Sequence, residues 1–96
     1  MSINLKKILN LFKNGEFNRA LTLCEKNKDK LNEHIIKNLK GVIYLKQKNY
    51  SLAVKNFMES IEANKNFIDP YNNLYVLFVK IRDFKNLIII ARKIYE

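Results

Sequence analysis

The sequence predicts an all-α fold in which three antiparallel helix pairs stack side by side. Six segments carry apolar residues at the i, i+3, i+4, i+7 spacing of one helical face. The breaks after the first, third and fifth segments are tighter than the other two, which favours helical hairpins. Two glycines and one proline leave little material for β-hairpin turns or long loops. We therefore expect one small helical domain over residues 1–96.

The first helix pair is predicted over about residues 1–32. Its first helix covers residues 3–13 and turns inward Leu5, Ile8, Leu9 and Phe12. Asn14-Gly15 should end that helix, because glycine readily takes the left-handed conformation of a C-terminal cap. The inward face of the second helix is predicted to hold Phe17, Ala20, Leu21 and Cys24. This helix should fade in the polar stretch 27–30, and Leu31 is expected to pack inward.

The second pair is predicted over about residues 33–67. Its first helix runs from about Glu33 to Lys46, and its second helix starts at Tyr50. The inward residues of the two helices are predicted to be Ile36, Leu39, Val42 and Ile43, then Tyr50, Ala53, Val54, Phe57 and Ile61.

The third pair is predicted over about residues 68–96. Asp69-Pro70 marks its start, because aspartate can cap free amides and proline needs no donor in a first turn. Asp83 is expected to cap the sixth helix in the same way. The inward residues of the two helices are predicted to be Tyr71, Leu74, Tyr75, Phe78 and Ile81, then Phe84, Leu87, Ile88, Ala91 and Ile94.

An internal repeat connects the three pairs. Superposing their second helices aligns Phe17, Tyr50 and Phe84, then Ala20, Ala53 and Leu87, then Cys24, Phe57 and Ala91. The sequence offset is 33 from the first pair to the second and 34 from the second to the third. In the middle pair, the pattern consists of Gly41 and Tyr44 before the turn and Tyr50, Ala53 and Phe57 after it. This pattern resembles the tetratricopeptide (TPR) repeat, whose period is about 34 residues.

The resemblance covers essentially the whole chain, strongly from Gly41 to Phe84 and loosely at both ends. Ile8 and Tyr75 stand where the repeat's first-helix glycine would be, and Lys65 stands where a closing proline is common. The resemblance implies a right-handed α-solenoid of three repeats. It also implies a non-enzymatic protein–protein interaction module that binds a peptide or protein segment, acidic or amphipathic, in a concave groove.

The groove is lined, in such a solenoid, by the first helix of each pair. The positions implied by the resemblance are Leu5, Leu9, Phe12, Lys13, Asn38, Val42, Leu45, Lys46, Asn72, Val76, Val79 and Lys80. Lys13, Lys46 and Lys80 are equivalent and would form a ladder of cations along one rim. Asn38 and Asn72 also correspond, and their amides are expected to bridge to a peptide backbone. The alternative is that these lysines are solvated and simply suit the helix dipole.

One TPR subgroup clamps the carboxylate at the end of heat-shock chaperone tails with lysine, asparagine and arginine. The corresponding positions here hold Leu5, Leu9, Leu39, Asp69 and Asn73. We therefore do not expect this chain to bind chaperone tails.

The net charge of +9 suggests a second function, binding of nucleic acid. The basic N-terminal half would supply Lys6, Lys7, Arg19, Lys26, Lys28, Lys30, Lys37 and Lys40. No aromatic stacking platform or nucleic-acid motif accompanies these residues, which disfavours this alternative. Fifteen of the eighteen cations are lysine, and asparagine and isoleucine are also abundant. All three residue types have A/T-rich codons, so genomic base composition is another explanation of the charge.

The last predicted helix suggests a third function, self-association. Residues 87–90 are four consecutive apolar residues, and one helical face cannot bury all of them. We therefore expect Ile89 or Ile90 to face outward, either as a homo-oligomer contact or as the contact for an element of a larger protein of which this chain is a structural or adaptor fragment.

Catalytic and cofactor chemistry is not expected. The single histidine, His34, lies in a polar junction between helices, and Cys24 occupies a packing position. One Cys and one His ten residues apart do not make a metal site, and Gly15 and Gly41 do not make a phosphate loop. The lone cysteine cannot form an internal disulfide, and no apolar run approaches the ~20 residues that cross a bilayer. A cytoplasmic location without membrane contact is therefore expected.

Overall fold

The computed structural model describes residues 3–27 and 32–96. Within these ranges the chain forms six α-helices and no β-strand, which confirms the all-α class. The helices are α1 (Ile3–Lys13), α2 (Phe17–Lys26), α3 (Glu33–Lys46), α4 (Tyr50–Ala63), α5 (Asp69–Lys80) and α6 (Phe84–Ile94). The inward position predicted for Leu31, and the basic residues Lys28 and Lys30, lie outside the described residues.

The helices pack mainly against their neighbours in the chain. Contacts are extensive within the pairs α1/α2, α3/α4 and α5/α6. Between pairs, α2 contacts α3, α4 contacts α5, and α3 also reaches α5. The molecule is correspondingly flat and elongated, with principal extents of 37 × 26 × 16 Å. This packing of adjacent helices is consistent with a helical repeat.

The turn after α1 is a Schellman motif. The amide of Gly15 donates to the carbonyl of Phe12 (3.0 Å), and the amide of Glu16 donates to the carbonyl of Leu11 (2.9 Å). Gly15 has a φ of 77°, so the predicted glycine cap is confirmed.

The turns after α3 and α5 repeat this motif without glycine. The amides of Lys48 and Arg82 donate to carbonyls three residues back, and the next amide of each turn donates to the carbonyl five residues back. Lys48 and Arg82 have φ values of 62° and 59°, the left-handed conformation that glycine adopts more readily. Gly15, Lys48 and Arg82 follow one another at sequence offsets of 33 and 34, so all three hairpins share one turn geometry at the spacing of the sequence repeat.

The helix starts confirm one predicted cap and correct another. The Asp83 carboxylate accepts a hydrogen bond from the amide of Asn86 (3.3 Å), as predicted for the start of α6. Asp69 does not cap α5: it is the first residue of that helix, and Ile68 precedes it with helical backbone angles. The carbonyl of Ile68 already accepts the first hydrogen bond, from the amide of Tyr71, so the helix begins one residue earlier than an Asp69 cap would allow.

Two apolar clusters form the core. The first joins α1, α2 and α3 through Ile8, Leu11, Ala20, Cys24, Ile36 and Ile43. The second joins α4, α5 and α6 through Ala53, Phe57, Ile61, Leu74, Leu77, Phe78 and Ile90. Helix α3 borders both, because Val42, Tyr44 and Leu45 pack against the second cluster. The middle hairpin therefore connects the two halves of the core.

Several predicted inward positions are wrong. The exposed ones are Leu9, Tyr75, Ile81, Phe84 and Ile88, whereas the buried residues that the pattern missed are Leu11, Leu77 and Ile90. In α1, α5 and α6, apolar residues occupy more than one helical face, so the spacing fits two registers equally well. Packing against the neighbouring helices selects the register.

Candidate binding surface

The predicted groove residues are mostly exposed. Of the twelve positions, seven are exposed: Leu9, Lys13, Lys46, Asn72, Val76, Val79 and Lys80. Phe12, Val42 and Leu45 are half-buried, whereas Leu5 and Asn38 are buried and so do not line the groove as predicted. Ten of the twelve therefore have side-chain surface that a partner could contact.

The three predicted rim lysines occupy the same place in each hairpin. Lys13, Lys46 and Lys80 are the last residues of α1, α3 and α5, where a cation also interacts favourably with the helix dipole. Within the described residues, none of the three forms an ion pair. The Lys80 ammonium lies 5.9 Å from the centroid of the Tyr50 ring, close enough for a cation–π contact between α5 and α4. The positive charge of these lysines is therefore available to an anionic partner.

Asn38 does not serve the groove as predicted. Its side chain is buried, and its Oδ1 accepts a hydrogen bond from Nδ2 of Asn73 (3.0 Å). This bond joins α3 to α5, the two helices that approach each other across the hairpins. Asn38 therefore stabilises the stack, and only Asn72 of the predicted amide pair is exposed.

Exposed apolar surface is concentrated in the third hairpin. Within the described residues, the exposed large apolar side chains from position 68 onward are Ile68, Tyr75, Val76, Val79, Ile81, Phe84, Ile88, Ile89 and Tyr95. Only Leu9 and Met58 join them from the rest of the described chain. The apolar spacing predicts an inward position for Tyr75, Phe84 and Ile88, so it does not identify them as part of this exposed surface.

The prediction that Ile89 or Ile90 faces outward is confirmed, by one of the two residues. Ile89 is exposed, but Ile90 is only 3% exposed and belongs to the second core cluster. Ile88, which was expected to point inward, is exposed instead. The run of four apolar residues gave no periodicity from which to choose between these positions.

The basic N-terminal half is partly neutralised by internal ion pairs. Lys40 is buried and pairs with Glu25 across the junction of α2 and α3. The Lys37 ammonium lies 3.1 Å from a Glu59 carboxylate oxygen. A third pair joins the Arg19 guanidinium to Glu16 at 2.7 Å.

Three cations of this half, Lys7, Arg19 and Lys26, line a depression formed by α1 and α2. It is lined by Lys7, Leu11, Asn18, Arg19, Thr22, Leu23 and Lys26. It brings together three of the residues predicted for nucleic-acid binding.

Cys24 and His34, the cysteine and the histidine that could carry catalytic chemistry, both pack against other residues of the fold. Burial raises the pKa of the Cys24 thiol to about 11, which keeps it protonated and weakly nucleophilic near neutral pH. The His34 ring packs edge-on against the Phe67 ring with centroids 5.0 Å apart, and its backbone carbonyl accepts a hydrogen bond from the Ser60 hydroxyl (2.6 Å). Across residues 3–27 and 32–96, no group of three His, Cys, Asp or Glu side chains is placed to hold a metal ion.

Fold and surface together define the class: a small all-α protein of stacked helical hairpins with exposed lysines at equivalent helix ends and an apolar third hairpin. In the part of the chain that the structure describes, no helix is both long and apolar enough to cross a membrane. Comparison with protein-family models, with curated proteins and with solved structures found no match to this chain.

Proposed function

We propose that this chain is a TPR-like, right-handed α-solenoid of three repeats, over about residues 1–32, 33–67 and 68–96, and that it acts as a non-enzymatic protein–protein interaction module. The three Schellman turns, at sequence offsets of 33 and 34, support a common repeat unit. Each helix pair packs against the next pair along the chain, and this packing supports a side-by-side stack of the three pairs.

The ligand that we propose is an acidic or amphipathic peptide or protein segment in the groove formed by α1, α3 and α5. The observation that carries this proposal is the set of equivalent lysines at the ends of these helices, Lys13, Lys46 and Lys80, all exposed. The apolar floor is supplied chiefly by α5, where Val76 and Val79 are exposed. Electrostatic attraction would speed encounter, and burial of the apolar floor would contribute most of the affinity.

A cytoplasmic location fits the state of the one cysteine. Cys24 is a buried free thiol, which suits a reducing compartment.

The test is a charge reversal with a matched control. A partner is first recovered by affinity capture from the native host and then purified. Its affinity is measured for the wild type, for Lys13→Glu/Lys46→Glu/Lys80→Glu, and for Lys55→Glu/Lys65→Glu/Lys93→Glu. Both triple variants change the net charge equally, and all six lysines are exposed. We expect the first variant to keep its helical circular dichroism and bind at least about tenfold more weakly. Equal weakening by both variants would mean that only net charge matters, and unchanged affinity in the first would reject the groove.

Nucleic-acid binding remains a second candidate because Lys7, Arg19 and Lys26 line one depression. Phosphate contacts by these cations would give a steep decrease of affinity with salt. Fluorescence anisotropy with a single-stranded RNA oligomer would test this candidate, using Lys7→Glu/Lys26→Glu as the variant. Affinity that is independent of salt or of this substitution would reject it.

A further inference from the structure

The repeat register shows that one side of the third hairpin corresponds to an internal interface. In the middle hairpin, Tyr50 and Val54 of α4 pack against the second core cluster, which α5 and α6 help to form. The equivalent residues of α6 are Phe84 and Ile88, which are 59% and 53% exposed. Ile61, which is buried in that cluster, is replaced at the equivalent position by Tyr95, which is 88% exposed. Positions that are covered in the middle hairpin are thus uncovered and still apolar in the third.

These exposed α6 residues lie on one side of that helix. Phe84, Ile88, Ala91 and Tyr95 are spaced by four, three and four residues, which places them in a single stripe along α6 and its C-terminal end. On α5, Tyr75 occupies the position of Gly41, the residue that contacts α4 in the middle hairpin, and Tyr75 is also exposed. We call the surface formed by Tyr75, Phe84, Ile88, Ala91 and Tyr95 the terminal face.

The middle hairpin shows what kind of element such a surface accommodates. Its equivalent stripe on α4 is covered by α5, an amphipathic helix that contributes Leu74, Leu77 and Phe78 to the shared cluster. Because the terminal face is equivalent in position to this internal interface, the element that fits it is a single amphipathic helix.

Neither α1 nor α6 of a second copy of this chain fits the terminal face well. In head-to-tail stacking α1 would occupy the place of α5, and the α1 counterparts of Leu74 and Leu77 are Lys7 and Asn10, both exposed and polar. In two-fold pairing of α6 with itself, Lys85 and Arg92 beside the stripe would face a second set of cations. A net charge of +9 on each copy opposes both arrangements.

Charge complementarity indicates the chemistry of the partner. Helix α6 carries three cations, Lys85, Arg92 and Lys93, and no acidic residue. We propose that the terminal face binds an amphipathic helix of another protein, with an apolar stripe flanked by Asp and Glu, in the place that the first helix of a further hairpin would take. This contact uses residues distinct from the rim lysines, so it is independent of the groove.

The probe for this proposal is a designed helical peptide of about 18 residues, long enough to hold helix in water, with a Leu stripe flanked by Glu. Two control peptides carry Lys in place of Glu or the same residues in scrambled order. Binding to the full chain is measured by fluorescence anisotropy and mapped by amide chemical shifts. We expect the Glu peptide to bind at least about tenfold more tightly than either control and to shift Tyr75, Phe84, Ile88 and Tyr95.

Two protein variants complete the test. Phe84→Ser/Ile88→Ser changes only exposed side chains and should fold normally while losing at least about tenfold in affinity for the Glu peptide. Met58→Ser removes a similarly exposed apolar side chain from α4 and should leave affinity unchanged. Shifts confined to Lys13, Lys46 and Lys80, or equal binding to both variants, would overturn the proposal. A dimer of the wild type that Phe84→Ser/Ile88→Ser abolishes would also overturn it, in favour of a second copy as the occupant.

Discussion

Gly41 of α3 lies so close to the ring of Phe57 of α4 that a Cβ atom on residue 41 would fall 2.5 Å from Cδ1 and Cε1 of that ring. The equivalent pair in the first hairpin is Ile8 with Cys24, and both residues are buried in one cluster. In the third hairpin the pair is Tyr75 with Ala91. The large member of the pair is therefore on the second helix in the middle hairpin and on the first helix in the other two. Both members of the pair are buried in the first and middle hairpins, although the residue types differ, whereas Tyr75 of the third hairpin is exposed.

Gly41→Ala is expected to destabilise the protein by about 1–3 kcal/mol. A Cβ at 2.5 Å cannot be accommodated unless the Phe57 ring moves, and that ring is fully buried. This cost should exceed the gain of about 1 kcal/mol that Ala usually brings to a helix interior in place of Gly. Urea denaturation measures the free energy of unfolding.

A double-mutant cycle with Phe57→Leu isolates the contact. Leucine is smaller than phenylalanine, so Gly41→Ala should cost at least about 1 kcal/mol less in that background. Strictly additive effects would show that the two residues do not constrain each other.

Lys48→Gly and Arg82→Gly are each expected to stabilise the protein by about 0.5–1 kcal/mol. Both residues hold positive φ in the turns where the first hairpin has Gly15. Glycine removes the steric cost of that conformation, and the gain is reduced by the greater freedom of glycine in the unfolded chain. Lys48→Ala and Arg82→Ala are the controls: they remove the same charge but keep the strain. Equal stability of the Gly and Ala variants would contradict the prediction.

Substitutions of Lys40 and of Glu25 should have different effects on the stability of the protein. Lys40 is buried at the junction of the first two hairpins, at the position that Leu74 fills in the next junction. Replacing a buried ion pair with apolar packing is often neutral or favourable, so Lys40→Leu should leave stability unchanged or raise it by about 1 kcal/mol. Glu25→Gln should lower it by about 1 kcal/mol, because the buried Lys40 ammonium loses a carboxylate that is itself 47% exposed and so partly screened by water. Thermal unfolding of both variants at low and moderate salt would show which substitution lowers stability more. A greater loss of stability in Lys40→Leu than in Glu25→Gln would contradict the prediction.

The sequence predicted the helices better than it predicted their surfaces. The start of α4 at Tyr50 and the cap at Asp83 depend on residues next to one another in the chain, and both predictions were confirmed. The burial of Asn38 and Lys40 depends on Asn73 and Glu25, which belong to other helices, so a pattern that assigns polar residues to the surface could not find it. The left-handed turn at Lys48 also lacked a signal, because no glycine marks it.

Sequence periodicity also could not predict which apolar residues of α6 are exposed in the terminal face. Residues 87–90 are all apolar, so periodicity could not decide that Ile90 is buried and Ile88 exposed. Ile90 is buried because it packs into the second core cluster, whose other members come from α4 and α5. The equivalent places of Lys13, Lys46 and Lys80, by contrast, follow directly from the sequence repeat, since each lysine is the last residue of the first helix in its pair.

Alkaline pH should selectively weaken the stabilisation that Cys24 provides. Burial raises the pKa of its thiol from the ordinary 9.0 to about 11; nearby Lys40 opposes this shift and Glu25 adds to it. Between these values the unfolded chain loses the thiol proton while the folded chain keeps it, so ionisation favours unfolding. The contribution is therefore complete below pH 9.0 and is lost as the pH rises towards about 11.

The comparison of wild type with Cys24→Ala isolates this effect, because lysine and tyrosine titrations are common to both chains. At about pH 8 the wild type should be the more stable by about 1 kcal/mol, from the packing of its sulfur. The difference should shrink and change sign by about pH 10.5, with a total change approaching about 2 kcal/mol. Free energies of unfolding in urea, measured under reducing conditions across this range, give the difference directly. A difference that stays constant with pH would mean that the thiol ionises as readily in the folded protein as in the unfolded chain, and so is not desolvated by the first cluster.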